Sequence, residues 1–424
     1  MNKNQSATTG HSHSGMASEK SKRSFRNNPT LVIFLTVFMD LVGFGIVIPM
    51  NPYITRAFGG TSFDVGLLMA TYSAMQFLFS PFWGKLSDRF GRRPILLLTI
   101  AGTVFGHLMF YYAGSLAMLF VARVVAGFFG ANISTAMAAI ADVTTEDKRS
   151  SGMGLIGAAF GLGFILGPAL GGISTKIGIV TGWGEQLPAL VAAGISTINF
   201  VSAYFQFPET LKLENRVIRE RKSRIKDIIE KINRPLVGRL LLVQFLGSVA
   251  MANMEASMFL MVADRFGWGM EKASFGFMYV GLSIALVQGF LVRKLMPKYG
   301  ERKLLIVGYV FFILAMAGIG AAEVIWFLAI ANTFLALGHG LLNPAVNGSL
   351  SLLATAKEQG ELMGVNQSLA ALARVFGPPI GGYLYKTYGT ASPFYAAAVF
   401  GMIAMATLMT VNQELKRFDR GHAK

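Results

Sequence analysis

Cysteine is absent from all 424 residues, so no disulfide, thiolate nucleophile or thiolate metal site can be built. That absence leaves the redox state of the compartment open. Charge is sparse as well: Asp, Glu, Lys and Arg make up 14% of the chain against 53% for hydrophobic residues, which excludes an ordinary soluble domain of this length. Acids are the scarcer part of that small set, 22 against 38 Lys and Arg, for a net charge of +16. In a soluble chain such an excess would point to nucleic acid. Here the basic residues fall in breaks between apolar runs, which argues for no nucleic-acid partner. A GxxxxGK[ST] phosphate loop is missing, so the chain shows no means of hydrolysing ATP itself. No metal-ligand cluster or nucleophile-base set appears either, and the reading is of a protein that is not an enzyme and holds no cofactor and no metal. His11 and His13 in the polar N-terminal stretch are too isolated to alter that. The first 28 residues also lack the apolar core of a cleavable signal peptide, and read as a disordered tail.

What is present is long hydrophobic runs. Segments near 31–50, 65–83, 94–113, 116–140, 152–172, 187–207, 238–262, 272–291, 304–322, 324–353, 361–384 and 393–411 are each about long enough to cross a hydrocarbon core of roughly 30 Å as a helix. The prediction is an all-α integral membrane protein with twelve spans, surrounded by a lipid bilayer. An even number of spans puts both termini on one side. Lys85, Arg89, Arg92 and Arg93, the long run from Lys212 to Arg234, Arg293 to Lys303 and Lys416 to Lys424 all fall on that side. The other side holds only Arg56, Lys176, Arg265, Lys272 and Lys386. The positive-inside rule therefore predicts cytoplasmic termini, in a bacterial inner (plasma) membrane.

The longest polar break, 208–235, divides the chain into a bundle of six spans over 29–207 and another over 236–411, with a terminal tail from 412 to 424. Its basic residues alternate with Ile and Val, a pattern that fits either an anionic membrane surface or a solvated tether. Displaced by about 210 positions, the halves overlie each other. GLGFILGPALGG at 161–172 falls on ALARVFGPPIGG at 371–382, and GKLSDRFGRR at 84–93 on RKLMPKYGER at 293–302. Duplicated six-span halves point to a transporter with its site near the midplane between them.

The stretch GKLSDRFGRRP at 84–94 resembles the signature between the second and third spans of the major facilitator superfamily. FVARVVAGFFGAN at 120–132 is similar to its fourth-span motif, with Arg123 as the membrane-embedded arginine. In the fifth span Gly154, Gly163, Gly167, Pro168, Gly171 and Gly172 have the spacing of the motif found in drug/proton antiporters. With MDLVGFGIVIP at 39–49 and GHGLLNPAVNGSLS at 338–351, the pattern resembles the twelve-span tetracycline-type efflux branch most. The resemblance implies two pseudo-symmetric bundles that alternate in access. It also implies a conformational latch made of Gly84, Asp88, Arg89, Gly91, Arg92, Arg93 and Asp142, in which Asp88 caps the eleventh span and Arg92 faces Asp142. In the second copy Pro297 and Glu301 replace Asp88 and Arg92, so one latch is complete and the other degenerate. Independently of family, Gly163, Gly167 and Gly171 share one helix face and let a neighbouring backbone approach; Pro168 favours a bend there.

An ionisable group at membrane depth costs several kcal/mol unless it is paired or hydrated, so each is a functional candidate. Asp40 in the first span and Glu255 in the seventh are the expected proton-coupling acids, with Arg123 as counter-charge and His339 as a possible relay. His107 is weaker, with packing the alternative. Asn132, Asn253, Gln288, Asn343, Asn347, Asn366, Gln367 and Arg374 are the candidate lining of a substrate cavity, or alternatively interhelical hydrogen bonds and packing anchors. The 22 Met and 34 Phe suit a pliable apolar pocket. The expectation is a monomeric, proton-coupled exporter of amphipathic small molecules, tetracycline-like or drug-like, powered by the proton gradient. Two alternatives remain at this point: a proton-coupled importer of a sugar or small metabolite, and a non-transporting receptor or scaffold.

Overall fold

Asn28 opens the first helix, its side-chain oxygen accepting the Leu31 amide at 3.3 Å, and Pro29 follows where a missing amide costs nothing. This helix, α1 (Pro29–Val47), breaks at Ile48 and Pro49 and resumes as a short helix, α2 (Met50–Ala57). The computed structural model describes residues 28–145, 149–211, 214, 224–354 and 358–416. Almost all of the N-terminal tail, most of the linker run and the last residues of the C-terminal tail lie outside the described residues. The chain continues as α3 (Ser62–Phe90), α4 (Arg92–Tyr111), α5 (Leu116–Phe129), α6 (Ile133–Val143), α7 (Arg149–Thr181) and α8 (Leu187–Gln206). After the linker helix α9 (Arg224–Ile232) come α10 (Pro235–Phe266), α11 (Met270–Leu286), α12 (Arg293–Gly320), α13 (Ile325–Leu353), α14 (Gln359–Tyr388), α15 (Ser392–Thr410) and α16 (Asn412–Lys416). A π-helical turn, Val287–Val292, extends α11.

Ten stretches of the described residues are long and apolar enough to cross a membrane. One of them, Met270–Gly320, holds two antiparallel spans separated at Gly300, where φ is 75°. The twelfth span is α14, whose Asn366, Gln367 and Arg374 make it too polar to qualify by hydropathy alone. The fourth span is α5 and α6 in series. Large apolar side chains on the outside of the molecule, among them Leu78, Phe105, Ile198, Phe205, Leu314 and Val399, form the surface that lipid covers.

The predicted loop at 84–94 is not a loop. Helix α3 continues through Asp88 and Arg89 to Phe90, and Gly91 alone leaves helical geometry, at φ 105°, ψ 158°. Gly300, its counterpart in the second half, has φ 75°, ψ 166°. Both conformations favour glycine, and the sequence repeat is thus also a backbone repeat.

Buried apolar clusters hold each half, with Ile48, Val65 and Met270 joining the cluster of the opposite half. In the first half, Ile33, Ile100, Ile140 and Ala159 meet near the ends where the termini lie, and Ile46, Met50, Leu68 and Leu119 near the opposite ends. In the second half Tyr309, Phe312, Leu335 and Phe394 are at the centre. The expected close approach at the fifth-span glycines is present, and its partner is α1: a Cβ on Gly45 would lie 2.8 Å from the Gly163 carbonyl oxygen and 3.1 Å from Gly167 Cα. Gly171 backs onto Ile46 in the same way. Pro168 sits inside a helix that runs on unbroken from Arg149 to Thr181.

Candidate functional site between the bundles

The two bundles meet along two seams, α3 against α14 and α7 against α11. The face where α1 starts and α15 ends is called the tail face here, and the opposite one the distal face. Toward the distal face both seams are tight. Gly66 lies against Pro378 and Gly382 against Ser62, while Phe63 and Tyr383 meet edge to face at 6.5 Å. On the other seam, a Cβ on Gly172 would meet Ser274 at 3.1 Å, and one on Gly281 would meet the Phe164 carbonyl at 3.2 Å.

Polar contacts reinforce this end. Arg56 on α2 donates two hydrogen bonds to Asp264 on α10, at 2.6 and 2.9 Å, and the Tyr385 hydroxyl donates to the same carboxylate at 2.5 Å. Tyr53 donates to the Trp268 carbonyl at 2.9 Å, and Lys176 pairs with Glu271 at 3.6 Å. The hydrogen bonds to Asp264 push the Arg56 guanidinium up, and burial pushes the Tyr53 phenol up, so both keep their protons throughout the physiological range.

Toward the tail face the seams part. Gly154, Gly157 and Gly161 on α7, Gly289 in the π turn and Gly364 on α14 have nothing among the described residues within 4 Å of where a side chain would begin. The charges at this end are satisfied inside their own bundle. Arg92 reaches Asp88 at 2.5 Å, Asp142 at 3.0 Å and the Ser87 hydroxyl at 2.7 Å, and its amide donates to Glu209 at 2.9 Å. The Arg92–Asp142 pair is the one expected. Asp88 differs: it pairs with Arg92 one turn away and does not cap the eleventh span. Glu358 and Glu361 at the start of α14 instead face Lys231, at 3.6 and 3.4 Å, and Arg234 lies 3.4 Å from Glu358. The reason is the separation of the bundles at this end, which leaves Asp88 a near partner at the start of the next helix, α4, in its own bundle. Arg93 donates to the Tyr204 carbonyl at 2.6 Å, Arg89 lies over the Phe90 ring, and Gly84 accepts the Ser87 hydroxyl at 2.8 Å.

Between the tight and open ends lies a cluster of ionisable groups at membrane depth. Asp40 on α1 has a buried carboxyl oxygen without a partner among the described residues; Asn132, in the turn between α5 and α6, is its hydrogen-bonding neighbour. Tyr72 on α3 stacks on Phe44 at 4.8 Å, accepts from Gln76 at 3.2 Å, and is within electrostatic reach of Asp40, Arg123 and Arg374. Arg374 on α14 is the charged neighbour of Glu255 on α10. Asp40, Tyr72, Arg374 and Glu255 thus form a series that crosses from one bundle to the other. Tyr72 has no signal in the sequence that separates it from the other 11 tyrosines; only the packing of α3 on α14 brings it into line.

The remaining candidates divide, and for Arg123 and Asn253 the expectation is corrected. Arg123 is not the partner of either acid. It is 3% exposed, donates to Asn51 at 2.5 Å and lies 4.7 Å from the Phe110 ring centre, because α2 closes over it. Asn253 does not line a cavity: it is fully buried, donates to the Pro393 carbonyl at 2.7 Å and lies under Gly381. Asn366 donates to Asn347 at 2.9 Å, tying α14 to α13. His339 and Asn343, one turn apart, bond to each other at 3.1 Å, and His107 meets Ser196 at 3.3 Å beneath Gly43. Gln288 lies in the π turn and Gln367 is exposed.

Comparison with known proteins decides the family. The Major Facilitator Superfamily description matches residues 33–322 and 290–424. The chain belongs to the major facilitator superfamily. It is 32% identical over 376 residues to the class E tetracycline resistance protein of Escherichia coli, covering 85% of this chain and 88% of that one. Multidrug resistance protein 2 of Bacillus subtilis (strain 168) is 27% identical over 374 residues, covering 86% and 91%. Among solved structures, the fold is shared with the human organic anion transporter MFSD10 (TETRAN), at TM-score 0.69 and 24% identity, covering 89% of this chain and 98% of that one. It is shared equally with an inward-facing bacterial homologue of the human lysosomal transporter Spinster, at TM-score 0.75 and 15% identity, covering 93% and 98%. As a superfamily member the chain is a multi-pass membrane transporter of a small molecule, and its two seams are the lines along which its bundles meet.

Proposed function

We propose that this transporter is a proton-coupled exporter of amphipathic organic compounds that works by alternating access, with the tail face in the cytoplasm of a bacterial cell. The observation that carries the reading is the series Asp40, Tyr72, Arg374 and Glu255, which joins the bundles at membrane depth beneath a sealed distal face and opens toward the tail face. Two carboxyl groups withdrawn from water, one in each bundle, can take up and release protons as access alternates. Each charge moved across the membrane potential is worth about 2.3 kcal/mol per 100 mV, so no nucleotide hydrolysis is needed. The basic side chains at the tail face support the orientation. The relatives' names, tetracycline resistance and multidrug resistance, support an organic cargo and outward direction. Apolar and aromatic side chains near the series, such as Phe44 and Phe164, suit a lipophilic cargo better than a sugar.

The test is accumulation of fluorescent cationic dyes and of tetracyclines in cells with and without the protein. Export predicts low accumulation that rises when an uncoupler collapses the proton gradient. Accumulation that the protein leaves unchanged across the whole panel before uncoupling would count against the proposal.

A further inference from the structure

Helix α2 is only eight residues long, yet it holds contacts to three separate parts of the molecule. Near its start, Asn51 is 3% exposed and its side-chain oxygen accepts the Arg123 guanidinium at 2.5 Å. Arg123 in turn lies over the Phe110 ring at 4.7 Å and the Tyr72 ring at 5.8 Å, so Asn51 fixes one wall of the central series. Two residues on, Tyr53 donates to the Trp268 carbonyl of the other bundle. One further turn along, Arg56 makes its paired hydrogen bonds to Asp264. Ile48 and Pro49 keep helical backbone angles but interrupt the run of helical hydrogen bonds, which sets this short helix off from α1.

We infer that Asn51 is a positioning residue for transport: through the rigid helix α2, its bond to Arg123 ties the state of the central series to the distal latch Arg56–Asp264. This rests on the alternating-access reading above. A guanidinium buried this deeply has few hydrogen-bond acceptors to choose from, and the Asn51 oxygen is the one the structure supplies. While that bond holds, α2 is anchored with Tyr53 and Arg56 presented to the other bundle. When Arg123 turns to another partner, the anchor is lost and the distal contacts lose their alignment together. A paired hydrogen bond is directional, so a small rotation of α2 suffices to break it.

The absence of cysteine makes a clean experiment possible. Ser274 is fully buried in the distal seam against Gly172, and Ser274→Cys gives a reporter that a membrane-impermeant maleimide on the distal side reaches only when the seam parts. Labelling of this variant alone should be slow. Adding Arg56→Ala should raise the rate about fivefold, as expected for loss of a partly exposed ion pair. Adding Asn51→Ala should raise it as much, although the Asn51 hydrogen bond to Arg123 lies within the first bundle, and the two together should label no faster than either alone. Asn51→Asp keeps an acceptor for Arg123 and should label slowly; it carries the test even if Asn51→Ala fails to elute as folded protein. Background labelling of Asn51→Ala beside fast labelling of Arg56→Ala would overturn the inference and leave alternating access intact, as would fast labelling of Asn51→Asp. Background labelling of both alanine variants would show that Arg56–Asp264 does not hold the distal seam and would likewise overturn the inference, while alternating access stands or falls with the accumulation test.

Discussion

At the scale of single residues, an acid within an apolar span is what marks Asp40 and Glu255, the first with one carboxyl oxygen unpartnered among the described residues and the second beside Arg374. An acid at membrane depth is costly to keep and is for that reason a functional candidate. Asp40→Asn and Glu255→Gln should each abolish transport driven by a pH gradient while leaving the protein in the membrane, as read by dye efflux and by the elution profile. Both acids were legible in the sequence, because a charge inside an apolar run stands out. The partners were not: Arg374 neighbours Glu255 through the packing of α14 on α10, and Arg123 turns to Asn51 through the fold of α2. Polar residues of the same type also divide into different roles that spacing cannot separate, as Asn253 and Asn132 do. At the tail face, Arg92 holds Asp88, Asp142 and Ser87 with a side chain only 7% exposed. Arg92→Ala should therefore cost about 2 kcal/mol in thermal unfolding of the solubilised protein, from lost hydrogen bonds to charged groups. A loss within error would mean that these contacts are solvated in the membrane.

At the scale of helices, the glycines of α7 serve two surfaces. Gly163, Gly167 and Gly171 bring α1 against α7, and Gly45→Val should destabilise the first bundle by about 1–3 kcal/mol through overpacking, a loss read from its thermal unfolding. Gly154, Gly157 and Gly161 have nothing among the described residues within 4 Å, and helical spacing puts them on the same face as Gly172, which meets α11. The contacts of Gly172 with Ser274 and of Gly281 with Phe164 set an antiparallel register that, continued toward the tail face, brings Gly157 opposite Gly289. Cysteines at positions 157 and 289 should thus cross-link when the tail face closes and stay apart in the arrangement seen here. Equal cross-linking in both states, or in neither, would contradict that register. Helix number and order were readable from hydrophobic runs, and the glycine face from its four-residue spacing. The extent of α3 was not, since charged residues at 85–93 look like a loop until helical hydrogen bonding carries them past the lipid boundary. Nor was the short helix α2, which begins where the first apolar run, near 31–50, ends and falls in what reads as the following break.

At the scale of the whole molecule, the two halves are tight at one end and parted at the other, and the repeat visible in the sequence recurs in the backbone. The second half keeps the glycine turn at Gly300 and replaces Arg92 by the buried Glu301, so the halves share a backbone and differ in their charges. Such a molecule can couple the direction of access to the protonation of groups lying between its halves. The most direct measurement is solute flux in sealed vesicles containing only the purified protein, with a pH difference imposed across the membrane. The account predicts solute movement against its own gradient that stops when the pH difference is removed and is absent in Asp40→Asn. Flux that ignores the imposed pH difference, or no flux of any compound across a broad lipophilic panel, would contradict it.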